Sequence, residues 1–342
     1  MLLQAHEHDA INRILAERLA KVEARFKAEL LSDLPAVNTL TQHVERYRGK
    51  MLRPTLVLAV SAAAFADRAD DDVFQDATIT VATVAEMVHM ATLVHDDILD
   101  DAEMRRRGAT INHLRGNEAA VMLGDYLISH AYHLCSSLPS SAASRAVAAA
   151  TNTVCEGELL QLHHRGDWAL TEQTYFEMIR RKTARLCGTC CQMPAVLAAN
   201  RSDGGGGPLA EALFVYGEKL GIAFQIVDDV LDLTGDADEV GKSLGRDLAK
   251  GKLTLPLIRH LTVVGPAGLT ELLKGESPDG LDRAAAAELR DAVLAGDGLA
   301  YAREQAETLV AQAKAALKEA ATDGPARRLL MDLADAVVTR RA

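Results

Sequence analysis

Residues 76–101 read DATITVATVAEMVHMATLVHDDILDD, and this stretch decides how the rest of the chain is read. Its apolar positions recur at three and four. Val81, Val84, Val88 and Ala91 form one stripe, and Met87, Met90, Val94 and Ile98 form the next. Stripes this wide predict a helix buried on most sides. The stretch then turns acidic at His95-Asp96-Asp97-Ile98-Leu99-Asp100-Asp101. A helix turns about 100° per residue, so Asp96 and Asp100 lie within about 40° of each other and Asp97 is adjacent. Like charges one turn apart destabilise a helix by about a few tenths of a kcal/mol per pair. The cost rises with burial unless a cation is present. An oxygen-only cluster suits a hard cation such as magnesium, which binds through a few carboxylates plus substrate phosphates. Taken alone, the cluster reads equally well as a solvated acidic helix end.

Outward from this stretch the pattern stays helical. Residues 55–138 and 140–193 contain no proline and are rich in Ala, Leu, Val, Met and Glu, which suits long helices. Strand signatures are scarce: no run of alternating Val, Ile and Thr is bounded by Asn-Gly or Asp-Gly turns. Leu34-Pro35, Arg48-Gly49 and Leu138-Pro139-Ser140-Ser141 read as breaks. Residues 202–208, Ser-Asp-Gly-Gly-Gly-Gly-Pro, form the strongest breaker and read as a surface loop within one domain, because helical patterns and related motifs lie on both sides. Residues 282–342 read as two or three amphipathic helices, and no repeat points to a solenoid. The expected class is all-α, with residues 1–342 as one domain.

Charge and cysteine usage narrow the function classes. The 342 residues carry 37 basic and 48 acidic side chains, a net charge of −11. That balance argues against a sequence-independent nucleic-acid binder and a polybasic membrane anchor. Five cysteines, an odd number, argue against a secreted disulfide framework. The opening MLLQAHEHDAINRILAERLA lacks a basic n-region and so is not read as a signal peptide. No segment reaches about 18 uninterrupted apolar residues, so no transmembrane segment is expected and the predicted location is cytoplasmic. Cys187-x-x-Cys190-Cys191 reads as packed thiols, and His163-His164 as a loop or surface feature.

A second cluster repeats the D-D-x-x-D spacing at Gly221-Ile222-Ala223-Phe224-Gln225-Ile226-Val227-Asp228-Asp229-Val230-Leu231-Asp232. Gly221, Gln225, Asp228 and Asp232 share one stripe of an otherwise apolar helix, where carboxylates are not explained as solvated surface. Two such triads on one cavity would make a polynuclear metal site whose ligand must be strongly anionic. Basic residues stand beside both: Arg105-Arg106-Arg107-Gly108 after the first, Gly241-Lys242 and Lys250-Gly251-Lys252 after the second. Gly49-Lys50-Met51-Leu52-Arg53-Pro54 and Arg180-Arg181-Lys182-Thr183 add further candidates. Each basic group alone reads as a solvated charge or a helix cap. Together with the triads they read as magnesium and diphosphate recognition, since arginine binds phosphate bidentately and lysine acts as a point charge. His89 lies within about 20° of Asp96, either packed in the core or facing the metal side.

On these residues the chain resembles the trans-isoprenyl diphosphate synthases, or polyprenyl synthetases, over roughly residues 45–260. Gly49-Lys50-x-x-Arg53-Pro54 resembles the family's first region, and Asp96–Asp100 with Arg105-Arg106 its first aspartate-rich motif and arginine pair. Gly124-Asp125-Tyr126-Leu127, Gly157-Glu158-x-x-Gln161 and Lys182-Thr183-Ala184 are similar to the intermediate regions. Gln225-x-x-Asp228-Asp229-x-x-Asp232, Gly241-Lys242 and Lys250-Gly251-Lys252 resemble the second aspartate-rich motif. Arg107 departs from the family's pair.

The resemblance implies one large helical bundle of the isoprenoid synthase type around a central cavity, a homodimer, and magnesium as cofactor. It implies condensation of an allylic diphosphate with isopentenyl diphosphate, head-to-tail, to an all-trans polyprenyl diphosphate. Asp96, Asp97, Asp100, Asp228, Asp229 and Asp232 would hold metal. Arg105, Lys182, Thr183, Gln225, Lys242 and Lys252 would line the allylic diphosphate, and Lys50, Arg53, His89 and Arg106 would hold isopentenyl diphosphate. Ala91 and Thr92, five and four positions before Asp96, are small where short-product members often carry an aromatic side chain, which implies geranylgeranyl length or longer. Tyr132, Leu134 and Phe176 are candidate tunnel floors. The alternatives are a farnesyl-length synthase and a non-catalytic subunit of a heteromeric synthase. A terpene cyclase and a head-to-head synthase fit less well: the former usually has a different second motif, and the latter would lack Gly49-Lys50-x-x-Arg53 and Gly241-Lys242.

Overall fold

A computed structural model describes residues 9–44, 49, 51–105, 108–138, 141–199, 206–234, 246–272 and 283–340. Helices α1 (Asp9–Glu29), α2 (Pro35–Val44) and α3 (Leu52–Ala64) lead through a 3₁₀ turn into α4 (Asp72–Leu99). A short antiparallel pair, β1 (Met104–Arg105) with β2 (Gly108–Ala109), precedes α5 (Ile111–Arg115), α6 (Asn117–Ser136) and α7 (Ser141–His163). Helix α8 (Glu172–Ile179) runs through a π-helical turn (Arg180–Ala184) into α9 (Arg185–Ala199). Then come α10 (Gly207–Thr234), α11 (Arg246–Ala249), α12 (Leu255–Leu272, kinked at Gly265), α13 (Arg283–Ala295), α14 (Gly298–Ala320) and α15 (Pro325–Thr339). The protein is all-α, as its periodicity predicts. The β pair has two residues per strand, too few to show a period-2 pattern in the sequence.

Local chemistry sets the helix ends. The Asp71 carboxylate caps α4 by accepting from the Phe74 N–H at 3.0 Å, and Thr171 caps α8 through the Thr174 N–H at 3.2 Å. Pro35 and Pro325 open their helices, where a missing N–H costs nothing. Pro194 lies inside α9, so not every proline marks a break.

The chain falls into two compact units, each built from three segments. The first comprises Met1–Thr151, Leu186–Gly217 and Ala316–Leu333; the second comprises Asn152–Arg185, Glu218–Ala315 and Ala334–Ala342. In the first unit α4 is the central helix, packed against α1, α3 and α6. Met87, Met90 and Leu127 are fully buried, each side chain contributing about 1.5–3 kcal/mol of burial energy. Among the described residues α4 is the helix long and apolar enough to cross a bilayer, but 83% of its apolar window is buried in the protein, as its wide apolar stripes predict for a core helix. In the second unit α8 packs on α12, and α13 on α11 and α12, around Tyr175, Ile226, Val230, Leu255 and Val293.

Candidate active site

In the first unit the acidic motif sits at the C-terminal end of α4. Asp101 adopts a left-handed conformation (φ 43°), its N–H donates to the Ile98 carbonyl at 3.1 Å, and the Ala102 N–H donates to the Asp97 carbonyl at 2.8 Å. This double closure ends the helix and leaves Asp96 and Asp100 partly exposed at its tip. Asp97 instead turns inward, its side chain 1% exposed. Arg105, carried back by β1, donates to Asp97 Oδ1 from Nε at 2.8 Å and from Nη2 at 2.7 Å. The three carboxylates are therefore not equivalent: two stand at the surface and one is held by arginine. Thr110 Oγ1 donates to the Ala102 carbonyl at 2.5 Å, and Asn112 Nδ2 to the Asp97 and Ala102 carbonyls, each at 3.2 Å, which fixes the turn.

The neighbouring motif residues acquire a physical reason. A Cβ at Gly124 would stand 2.1 Å from His95 Nε2, so glycine on α6 is what lets the His95 ring lie there. The ring nitrogen is 3.3 Å from the Val121 carbonyl and 3.6 Å from Asp125 Oδ1. Ala91 is fully buried, whereas Thr92 and His89 are half-buried, and Thr92 Oγ1 donates to the His89 carbonyl at 2.8 Å. Leu134 is buried, but Tyr132 stands on the exposed side of α6, which does not suit a tunnel floor. Arg53 is half-buried in the first turn of α3, after Met51 in a left-handed conformation (φ 51°). Lys50, Arg106, Arg107, Gly241 and Lys242 lie outside the described residues.

The second unit brings together Lys182, Thr183, Gln225 and the second acidic motif. A Cβ at Gly157 would lie 2.5 Å from the Lys182 backbone nitrogen, so α7 presses directly on the π-helical turn. Lys182 Nζ donates to Gln161 Oε1 at 2.9 Å and pairs with Glu158, which accounts for Gly157-Glu158-x-x-Gln161 as one unit. Arg180 and Arg181 are engaged by acids: Arg180 by Glu177 at 2.8 Å and Glu218 at 3.6 Å, Arg181 by Glu177 and Glu156. Thr183 Oγ1 donates to Gln225 Oε1 at 3.0 Å, Gln225 Nε2 to Asp229 Oδ1 at 2.9 Å, and the Tyr175 hydroxyl to Asp229 Oδ2 at 2.7 Å.

Asp229 is 4% exposed. Burial pushes its carboxyl pKa well up, the Asp247 and Asp228 charges add to the rise, and the Tyr175 and Gln225 hydrogen bonds oppose it. Asp228 is 43% exposed and is held by the Arg340 guanidinium. Arg340 also donates to the Phe224 carbonyl at 2.9 Å and lies 3.9 Å above the Phe224 ring. Asp232 accepts from the Asp247 N–H at 3.4 Å. Lys252 follows Gly251 (φ 66°), whose carbonyl accepts from the Gly166 N–H at 2.9 Å. Tyr175, Asp247 and Arg340 escape the sequence reading. Asp247 could have been picked out as an acid just before Lys250-Gly251-Lys252, but Arg340, 112 positions beyond Asp228, carries no local signal.

The thiols of Cys187, Cys190 and Cys191 are buried and free, with pKa values raised first by burial, and His164 pairs with Asp167 at 2.7 Å in the turn after α7. Among the described residues no three acidic, histidine or cysteine side chains already form a metal cage. The donor set nonetheless fits magnesium, which takes oxygen ligands and retains water and substrate phosphate in place of a full protein cage. In the first unit Asp96 and Asp100 are partly exposed and Asp97 is engaged by Arg105; in the second unit Asp228 and Asp232 are partly exposed and Asp229 is engaged by Tyr175 and Gln225.

An all-α chain with two carboxylate clusters, each joined to basic side chains, defines a class of helical enzymes that handle diphosphates. The profile of the polyprenyl synthetase family matches residues 35–288, and the chain belongs to that family. It is 34% identical to octaprenyl diphosphate synthase of Escherichia coli (strain K12) over 333 residues, spanning 97% of this chain and 98% of that protein. It is 34% identical to heptaprenyl diphosphate synthase component 2 of Geobacillus stearothermophilus over 253 residues, 74% of this chain and 75% of that one. A crystal structure of polyprenyl synthase from Caulobacter crescentus CB15, complexed with calcium and isoprenyl diphosphate, superposes with a TM-score of 0.87 at 31% identity, covering 98% of each chain.

Proposed function

We propose that this chain condenses an allylic diphosphate with isopentenyl diphosphate, head-to-tail, and releases an all-trans polyprenyl diphosphate of geranylgeranyl length or longer. The observation that carries this reading is that both acidic motifs are intact and each is joined to a basic side chain, Arg105 to Asp97 and Arg340 to Asp228. Asp96, Asp100, Asp228 and Asp232 would hold magnesium, with Asp97 and Asp229 behind them. Bound magnesium would supply Lewis-acid neutralisation of the diphosphate. Arg105, Lys182, Thr183, Gln225, Lys242 and Lys252 would bind and orient the allylic diphosphate, stabilising the charge that grows on it as the C–O bond ionises. Lys50, Arg53, His89 and Arg106 would hold isopentenyl diphosphate so that its double bond meets the allylic cation, and the released diphosphate takes the proton. The buried surroundings of Ala91 would exclude water and receive the growing chain.

One isoprenoid synthase domain over residues 1–342 is supported by unit boundaries that fall inside α7, α10, α14 and α15, and by the full-length superposition. The protein would act as a soluble cytoplasmic homodimer. The likeness to a heptaprenyl synthase component 2 favours a second reading, in which the chain works only with a partner subunit. Purified protein given magnesium, isopentenyl diphosphate and geranyl, farnesyl or geranylgeranyl diphosphate separates the two. Elongation by the chain alone is expected, and elongation only after addition of a partner would establish the second.

A further inference from the structure

The hydrogen-bond chain behind the second motif is closed at one end by a side chain with no place in the chemistry above. Tyr175 is 1% exposed, so it touches no substrate, and its hydroxyl donates to Asp229 Oδ2 at 2.7 Å. The other carboxyl oxygen accepts from Gln225 Nε2 at 2.9 Å, and Gln225 Oε1 accepts from Thr183 Oγ1 at 3.0 Å. We infer that Tyr175 is a positioning residue that, through Asp229, fixes how the Gln225 amide and the Thr183 hydroxyl are presented to the allylic diphosphate.

Three features carry this, and the inference rests on the proposed function. An amide can face a carboxyl with either end, and only its nitrogen donates. With Tyr175 on Oδ2, Oδ1 stays an acceptor, so Gln225 must turn its nitrogen inward and its oxygen to Thr183. The Thr183 proton is then committed to Gln225, and its oxygen meets the diphosphate through a bridging water that donates to both. Finally, Tyr175 on α8 ties that helix to α10 immediately before the π-helical turn that carries Lys182 and Thr183. Such wide turns are frequent at functional sites.

The test uses the full chain with magnesium and a non-reactive allylic thiodiphosphate. Its affinity is measured by calorimetry for the wild type, Tyr175→Phe, Thr183→Val and the double variant, alongside KM for both substrates. Tyr175→Phe keeps the buried ring. It is expected to weaken thiodiphosphate binding about tenfold, equivalent to about 1.4 kcal/mol. KM for isopentenyl diphosphate should change less than about twofold, and the loss of affinity in the double variant should fall short of the product of the two single losses. Wild-type affinity in Tyr175→Phe, effects that multiply in the double variant, or equal rises in both KM values would each overturn the inference while leaving the proposed function standing. A wild-type protein that does not bind the thiodiphosphate would overturn both.

Discussion

Gly157→Ala should separate stability from activity. The added Cβ would stand 2.5 Å from the Lys182 nitrogen, 2.8 Å from Arg181 Cβ and 2.9 Å from Lys182 Cα. Ordinary contacts of this kind are about 3.5–4.0 Å, so the π-helical turn must retreat by about 1 Å. Two of the three blocking atoms are backbone, and no rotamer change clears them. Overpacking of this size costs about 1–3 kcal/mol. Against it stands the gain of about 1 kcal/mol when alanine replaces glycine inside a helix. The net loss is about 0–2 kcal/mol, read as a modest shift in the urea midpoint. Activity should fall much further. A 1 Å displacement moves Lys182 and Thr183 off the diphosphate, and misplacement of that size costs up to about 10²-fold in turnover. Urea melts and steady-state kinetics on the same preparation provide the assay, with Gly324→Ala, whose Cβ would meet nothing within 4 Å, as control. Full activity in Gly157→Ala would refute the reasoning that ties α7 to the position of Lys182.

Four other outcomes follow from particular contacts. Ala91→Tyr should shorten the product, and an unchanged product distribution by chromatography would remove Ala91 from chain-length control. The hydrogen bond from Tyr301 to Glu172 Oε1 at 2.7 Å, then burial, push the Tyr301 phenol from 10.0 to about 12. The folded chain holds that proton more tightly than the unfolded one, so its stabilisation is full below pH 10 and disappears as pH rises through about 12. Tyr301→Phe should flatten the wild-type loss of stability across that window, seen in urea melts at matched pH. A thiol reagent should modify only Cys155 of the five cysteines in the folded protein, with the buried four released on unfolding; rapid reaction of Cys190 would contradict its burial. Arg340→Gln removes the cation now on Asp228 and should lower the metal-free melting temperature while steepening its rise with magnesium, and equal melting curves with the wild type would count against that role.

The helical class was legible because α4 repeats its apolar positions so strictly, and the acidic spacing gave the angles between carboxylates. What periodicity withholds is which way a helix faces when it is apolar nearly all round. Asp97 and Asp229 each read as equal members of a triad, yet Arg105 draws one inward and Tyr175 with Gln225 the other. The roles of Gly124 and Gly157 were visible only as motif letters until His95 and Lys182 showed what needs the space. Arg340 reaches Asp228 from the far end of the chain, and such a contact exists only once the chain is folded.

The central claim is tested most directly by incubating the purified protein with labelled isopentenyl diphosphate and an allylic primer, with magnesium and with excess chelator, and then chromatographing the dephosphorylated products. The account predicts magnesium-dependent elongation to an all-trans polyprenyl product of at least geranylgeranyl length, sharply reduced in Asp228→Ala while its helical content is retained. Elongation unaffected by chelator, or wild-type turnover in Asp228→Ala, would contradict it.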